Sequence, residues 1–99
     1  MAIDAIVVNE KDNVATAVVE LSAGAQARTR RGDDIIPFQI RQPIPYGHKF
    51  SISSIERGHK VMKYGEVIGE ATERIEVGDH VHIQNVISLR ARGDLNEQP

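Results

Sequence analysis

Two short stretches of the sequence share one pattern, IERGHKV at residues 55–61 and IEVGDHV at residues 75–81. In each stretch an isoleucine precedes a glycine by three residues, and a valine follows that glycine by three residues. Glycine tolerates backbone angles that other residues avoid, so it suits a tight corner, and the β-branched residue after it favours a strand. Each stretch is therefore predicted to be a turn that starts a strand.

The remaining apolar residues also come in short runs rich in valine and isoleucine, which predicts an all-β domain. Strands are predicted at residues 5–8, 14–21, 25–29, 50–52, 60–65 and 67–72. The run at residues 35–40 contains Pro37, which predicts an edge strand or an irregular extended segment. Residues 43–47 hold two prolines and a glycine and predict an irregular loop, while residues 54–58 predict a turn or one helical turn.

The bulk composition limits the classes of function. The chain has 99 residues, a net charge of -2 and no cysteine. This length suits one domain, expected over residues 1–90, with a flexible polar tail at residues 91–99. The weak net charge does not favour a nucleic-acid or membrane-surface partner. We expect a cytoplasmic protein, because no signal peptide or membrane-spanning run is evident and cysteine is lacking.

The stretch GDHVHIQNV at residues 78–86 raises a chemical question, because it holds two of the four histidines. On a continuous strand, His80, His82 and Gln84 would share one face. Two histidines at this spacing could bind one metal ion, with His48, Asp79 or a partner chain as the third ligand. They could equally transfer protons near pH 7, or simply lie half-exposed on the sheet. The spacing leaves all three interpretations open.

Two further segments carry polar groups at glycine corners. Gly47-His48-Lys49 follows the proline-rich residues, and Lys63-Tyr64 precedes a glycine. A lysine can hold a carboxylate, and a tyrosine can hydrogen-bond a hydroxyl. Taken singly, each is more often an ordinary surface lysine or a half-buried tyrosine.

Several ordered blocks together resemble one known family. GHKF (residues 47–50), GHKVMKYGEVIGEAT (58–72), IEVGDHVHIQNV (75–86) and S-x-R-x-RGD (88–94) are similar to the small domain of the altronate/galactarate dehydratase family. That domain is also similar to the small subunit of two-subunit sugar-acid dehydratases and of sulfolactate sulfo-lyase. The resemblance implies a SAF-like β-clip fold. The family pattern often has the form HVHxHN, and Gln84 occupies the place of its last histidine.

The resemblance implies a hydro-lyase that removes water from a sugar acid such as altronate or galactarate and yields a 2-keto-3-deoxy acid. It implies a separate large dehydratase subunit and a divalent metal, Fe²⁺ with Mn²⁺ or Mg²⁺ as alternatives, bound mainly by that subunit. Carried onto this chain, it makes His48, His80 and His82 the candidates for catalysis, with His80 and His82 as possible metal ligands. Lys49, Lys63, Tyr64 and Asn85 become the candidates for substrate binding.

Two other functions compete with this hypothesis. A stand-alone domain of this type could be a non-catalytic module that binds carbohydrate or protein. A homo-oligomer could also act alone as a metalloenzyme by building a shared pocket between copies. Retention of HVH and of both lysine loops favours catalysis.

Overall fold

The structure, a computed structural model, describes residues 2–88, and this range contains strands and turns but no helix. Its strands are β1 (Ala5–Val7), β2 (Val14–Ala17), β3 (Gln26–Arg31), β4 (Asp34–Gln39), β5 (Lys49–Ser51), β6 (Lys60–Lys63), β7 (Glu66–Ala71), β8 (His80–Val81) and β9 (Val86–Ser88). The all-β prediction is confirmed. Residues 54–58 form a turn, and the predicted tail at residues 91–99 lies outside the described range. One domain over residues 1–90 stays a prediction.

The strands form two sheets. The larger has the order β4-β3-β1-β2-β5-β8, and the smaller has the order β6-β7-β9. Within them β1 and β3 run parallel, and the other strand pairs run antiparallel. Pro37 lies on β4 at the edge of the larger sheet, where the missing N–H breaks no ladder on its outer side, so the edge-strand prediction is confirmed.

The turn pattern that the sequence shows twice occurs four times in the structure. The four copies are LSAGAQA (21–27), IPYGHKF (44–50), IERGHKV (55–61) and IEVGDHV (75–81). Their glycines have φ angles of 88°, 84°, 87° and 91°. In each, the N–H after the glycine donates to the carbonyl three residues earlier, as in a type II turn. The predicted loop at residues 43–47 is present before β5, but it is a regular type II turn rather than an irregular loop.

The four turns associate in two pairs, and each pair closes one core. Leu21 bridges Ile44, and Ile55 bridges Ile75. The first residue of each copy and the seventh are all buried: Leu21, Ala27, Ile44, Phe50, Ile55, Val61, Ile75 and Val81. The first four belong to one hydrophobic cluster and the last four to the other. The repeated apolar positions thus hold the turns in place by burial.

Asn13 ties the two sheets together. Its side-chain nitrogen donates to the carbonyl of Lys60 (2.9 Å), and its side-chain oxygen accepts from the N–H of Met62 (2.8 Å). Asn13 precedes β2 of the larger sheet, whereas Lys60 and Met62 lie on β6 of the smaller.

The predicted strand at residues 14–21 is shorter than expected, because it ends at Ala17 before the first turn begins.

We predict that alanine destabilises the fold by different amounts at the equivalent glycines of two turns. Gly24 and Gly78 both have positive φ, but a Cβ at Gly24 meets open space, whereas one at Gly78 collides with the carbonyl of Gln39. We expect Gly24→Ala to lower the free energy of unfolding by about 1–2 kcal/mol through backbone strain. Gly78→Ala should cost clearly more, as measured by urea denaturation of both variants. Equal losses would show that the close approach at Gly78 is easily relieved.

Candidate histidine site

The histidine stretch changes sheet instead of forming one continuous strand. Strand β8 ends at Val81, residues 82–85 form a tight loop, and β9 then joins the smaller sheet. The predicted alternation of side chains along residues 80–86 is therefore wrong. The backbone breaks here because Asn85 closes the loop: its Oδ1 accepts from the N–H of His82 (3.0 Å), and its Nδ2 donates to the carbonyl of His80 (2.8 Å).

His48 reaches the same place from a distant part of the chain. It follows the glycine of the turn at residues 44–50, and Lys49 after it begins β5. Strand β5 pairs with β8, with Lys49 opposite Val81 and Phe50 opposite His80. This pairing brings the segment before β5 alongside the segment after β8.

The three half-buried imidazoles lie close together with nearly parallel planes, at angles of 14°, 24° and 25°. The ring centroids are 4.4 Å apart for His48 and His82, 5.1 Å for His48 and His80, and 5.4 Å for His80 and His82. Nδ1 of His48 lies 2.9 Å from Nε2 of His80, a hydrogen-bonding distance. The structure thus brings together all three predicted catalytic residues.

Two glutamine side chains form hydrogen bonds with His80. Nε2 of Gln84 lies 3.1 Å from Nδ1 of His80 and also donates to the carbonyl of His80 (3.2 Å). On the other side, Oε1 of Gln42 accepts from the N–H of His80 (2.9 Å). Sequence reasoning missed Gln42, because nothing in its local pattern indicates that it meets a strand 38 residues away.

Burial and like charges disfavour the protonated forms here. The pKa of His80 is lowered, first by burial and then by the charges of His48, His82 and Lys49. The pKa of His82 is lowered by burial and by His48 and Lys49. Burial, followed by the charge of Lys63, also lowers the pKa of Lys49. Neutral imidazoles beside a lysine can exchange protons and attract an anion.

The predicted substrate-binding residues occupy different places around this cluster. Lys49 lies next to it, and Lys63 is close enough for its charge to act on Lys49. Tyr64 is exposed at the β6–β7 turn, with the Nζ of Lys63 4.8 Å from its ring centre. Asn85 is buried, and both groups of its side-chain amide form hydrogen bonds to the backbone of His80 and His82, so its role in substrate binding stays a prediction.

Asp12 holds the turn that carries Lys63 and Tyr64. Its carboxylate accepts from the N–H groups of Tyr64 (3.0 Å) and Gly65 (2.8 Å). These bonds secure Tyr64 at a φ of 56°, which non-glycine residues rarely adopt. Sequence reasoning placed Asp12 in a polar break between strands. An aspartate in such a break commonly accepts hydrogen bonds from backbone N–H groups, but the sequence does not show that these groups belong to Tyr64 and Gly65.

The donor set of the cluster fits a divalent metal. Within residues 2–88, His48, His80 and His82 form the group whose ligand atoms lie together, all within 4.8 Å of one another. Neutral imidazole is a common ligand of Zn²⁺, Fe²⁺ and Mn²⁺. Asp79, the other predicted third ligand, is used elsewhere: it accepts from the N–H of Glu76 and pairs with Arg41 at 3.0 Å.

A small cleft lies beside the histidines. Its volume is about 180 Å³, and its lining includes Lys49, His82 and Ile83. Ile83 is 84% exposed, an unusual position for a large apolar side chain next to a polar cluster. Ligand sites commonly measure about 300–1,000 Å³, so this cleft by itself is smaller than a usual ligand site.

Within residues 2–88, no helix has the length and apolar character needed to cross a membrane.

Residues 3–89 match the family profile of the altronate/galactarate dehydratase SAF domain. The chain is 34% identical over 93 residues to (2R)-sulfolactate sulfo-lyase subunit alpha of Chromohalobacter salexigens, covering 91% of this chain and 99% of that one. It is 38% identical over 80 residues to altronate dehydratase of Escherichia coli, and 34% identical over 82 residues to galactarate dehydratase (L-threo-forming) of the same organism. These matches cover 81% and 83% of this chain, but 15% of each dehydratase.

The lowered pKa values of His80 and His82 predict a loss of stability in mild acid. As the pH falls through about 6.5, the unfolded chain takes up protons at these histidines before the folded chain does. The unfolded state then binds more protons, so the free energy of unfolding falls. We expect denaturation midpoints to drop between about pH 7.5 and 5.5, above the ordinary carboxyl range.

The matched control for this measurement is His59, which follows the glycine of its own turn as His48 does. The pH dependence should be weaker in His82→Gln than in His59→Gln. An identical pH dependence in the two variants would contradict a cluster that resists protonation.

Proposed function

The chain belongs to the altronate/galactarate dehydratase SAF domain family, and on that premise we propose that it is the small subunit of a sugar-acid dehydratase. It would act with a separate large subunit on an aldonate or aldarate such as altronate or galactarate. The observation that carries the proposal is the meeting of His48, His80 and His82, with His82 and Lys49 lining a small open cleft next to this cluster. The SAF-type fold expected from the sequence is confirmed by the family match.

The extents of the matches support a two-subunit enzyme. This chain corresponds to nearly the whole of a relative that is named as a subunit, and to 15% of single-chain altronate dehydratase. The remainder of altronate dehydratase therefore defines the kind of large subunit that would complete the site. The exposed Ile83 at the rim of the cleft is suited to contact with such a partner.

The reaction has physical demands that these residues meet. Dehydration breaks the C–H bond next to the carboxylate and the C–O bond of the adjacent carbon, and the enol that remains tautomerises to a 2-keto-3-deoxy acid. The proton next to a carboxylate is weakly acidic, so the carboxylate must be neutralised while a base takes the proton. In the proposal Lys49 and Lys63 bind the carboxylate, and Tyr64 contacts a hydroxyl. His48 and one of His80 or His82 move the protons.

A divalent metal, Fe²⁺ or else Mn²⁺ or Mg²⁺, would stabilise the negative charge that develops on the substrate. We propose that the large subunit binds it in the main, with His80 and His82 as the candidate ligands of this chain. Both ring nitrogens of His80 lie at hydrogen-bonding distance from other groups, so His80 would bind the ion only by giving up its contact with His48 or Gln84. His80 and His82 have lowered pKa values, which favours the neutral imidazole that a metal requires. Action in the cytoplasm stays a prediction.

A second candidate is a sulfo-lyase subunit, which the nearly complete coverage of the sulfolactate relative favours. The two reactions share proton removal next to a carboxylate and differ in the leaving group. Sulfite leaves as a stable anion, whereas hydroxide needs a proton from a general acid. The non-catalytic binding module remains the alternative from another class of function.

Co-expression with a large subunit of the same genome tests the proposal. We expect a stable complex by size-exclusion chromatography that, with Fe²⁺, Mn²⁺ or Mg²⁺, forms keto-deoxy acid from one member of a sugar-acid panel. His48→Ala and His82→Ala should lower kcat about 10²–10⁴-fold, the usual contribution of a proton-transfer group. His59→Ala, at the equivalent position of another turn, should leave kcat unchanged.

The outcomes separate the three functions. Sulfite release from sulfolactate, without activity on sugar acids, would identify the sulfo-lyase. If the chain does not bind the large subunit and does not change its activity, both lyase hypotheses would be contradicted and the binding module would be favoured.

The carboxylate-binding role of Lys49 has its own test in the same complex. Lys49 and Lys60 follow the equivalent histidines of two turns, but only Lys49 is close enough to the cluster for its charge to act on His80 and His82. Losing a hydrogen bond to a charged group costs about 1.5–3 kcal/mol, which is roughly a 10- to 150-fold effect. We expect Lys49→Met to raise KM by this order and Lys60→Met to leave KM unchanged. A KM that is the same in both variants would exclude Lys49 from carboxylate binding.

A further inference from the structure

The amide of Gln84 has an orientation that its contacts determine. The same side-chain atom lies 3.2 Å from the carbonyl oxygen of His80 and 3.1 Å from Nδ1 of that residue. A peptide carbonyl can only accept a hydrogen bond, so the atom facing it must be the amide nitrogen, which donates. The same NH₂ group therefore faces Nδ1 of His80 as a donor.

This orientation determines the tautomer of His80. A neutral imidazole has one N–H and one acceptor nitrogen. Because Nδ1 of His80 faces a donor, it must be the acceptor, and the proton lies on Nε2. Nε2 of His80 is 2.9 Å from Nδ1 of His48. His80 therefore donates to His48, whose own proton must then lie on Nε2.

We infer that Gln84 is a positioning residue that acts through His80 to place the ring proton of His48 on Nε2. The hydrogen bonds then run in one direction, from Gln84 to His80 and from His80 to His48. The inference deepens the proposed function, on which only its catalytic consequence rests. That consequence is that His80 does not engage the Nε2–H group of His48, so His48 can donate a hydrogen bond from Nε2 to the leaving hydroxyl of the substrate.

We call this chain of hydrogen bonds from Gln84 through His80 to His48 the relay. It also accounts for the presence of a glutamine, a residue that does not titrate, at position 84. A histidine or a carboxylate there could accept a hydrogen bond as well as donate one, or accept only, and would not fix the direction. The amide nitrogen donates at every ordinary pH. Two further bonds hold its target in place, because the backbone of His80 is bound by Gln42 and Asn85.

Nuclear magnetic resonance of the full chain tests the relay without any partner subunit. Two-bond ¹H–¹⁵N correlations identify the protonated nitrogen of each imidazole, at about pH 9 where histidines are neutral. We expect the wild type to carry the proton on Nε2 in both His80 and His48. In Gln84→Glu the carboxylate accepts instead of donating, so the proton of His80 should move to Nδ1. The proton of His48 should then move to Nδ1 as well, while His59 stays unchanged.

A second variant separates loss of the donor from added charge. Gln84→Met keeps the length of the side chain but cannot donate, so His80 and His48 should both show a mixture of tautomers. Three results would overturn the relay: a wild-type proton on Nδ1 of His80, a change at His80 that leaves His48 unaltered, or double protonation of His80 in Gln84→Glu. Each would show that Gln84 does not determine the tautomer of His48.

The catalytic consequence is measured separately in the complex with the large subunit. Gln84→Glu should lower kcat about 10- to 100-fold, the usual cost of losing a residue that orients a catalytic one, with KM nearly unchanged. Tautomer exchange with an unchanged kcat would overturn the catalytic role. Tautomer exchange in a complex whose wild type is inactive would instead count against the proposed function and leave the relay in place.

Discussion

The pairing of β5 with β8 is the interaction on which the candidate site depends. Two backbone bonds extend this pairing on the side away from the histidines: Ser51 donates to the carbonyl of Asp79 (3.0 Å), and Gly78 donates to the carbonyl of Ser51 (2.8 Å). Each strand follows a glycine turn, and the two turns belong to different bridged pairs and different hydrophobic clusters. The histidines therefore lie where the two halves of the fold meet, and the register of one short strand pair sets their separation.

The four turns share one backbone form, and the two residues after each glycine decide what each turn presents. These are Ala25 and Gln26, His48 and Lys49, His59 and Lys60, and Asp79 and His80. The backbone does not distinguish His48 from His59. What distinguishes them is the strand alongside, because β5 lies next to β8, whereas β6 lies next to β7. A histidine becomes part of a cluster here through its neighbouring strand rather than through its own turn.

Sequence patterns predicted the parts of the fold that depend on local chemistry. Short β-branched runs gave the all-β class, and Pro37 gave an edge strand. What the patterns missed depends on distant partners. The carboxamide of Asn85 ends the histidine strand, which periodicity alone extends to residue 86. The meeting of His48 with His80 spans 32 residues and follows from the packing of two cores, so spacing could not locate it. The family resemblance supplied it instead.

The charge balance of the cluster bears on the anionic substrate of the proposed function. Burial is the first cause of the lowered pKa values of Lys49, His80 and His82, and mutual repulsion adds to it. Protonation of these three side chains therefore costs more free energy than it does in water. A bound carboxylate would lower that free-energy cost by pairing with the positive charge. In the proposed reaction, binding of the carboxylate would therefore favour protonation of Lys49 and strengthen the electrostatic field at the α-proton. Enclosure by a second chain would exclude water and increase both effects, since Coulomb attraction grows as the local dielectric falls. In the proposed complex, the half-open cleft beside His82 is the state expected before the substrate and the second subunit are bound.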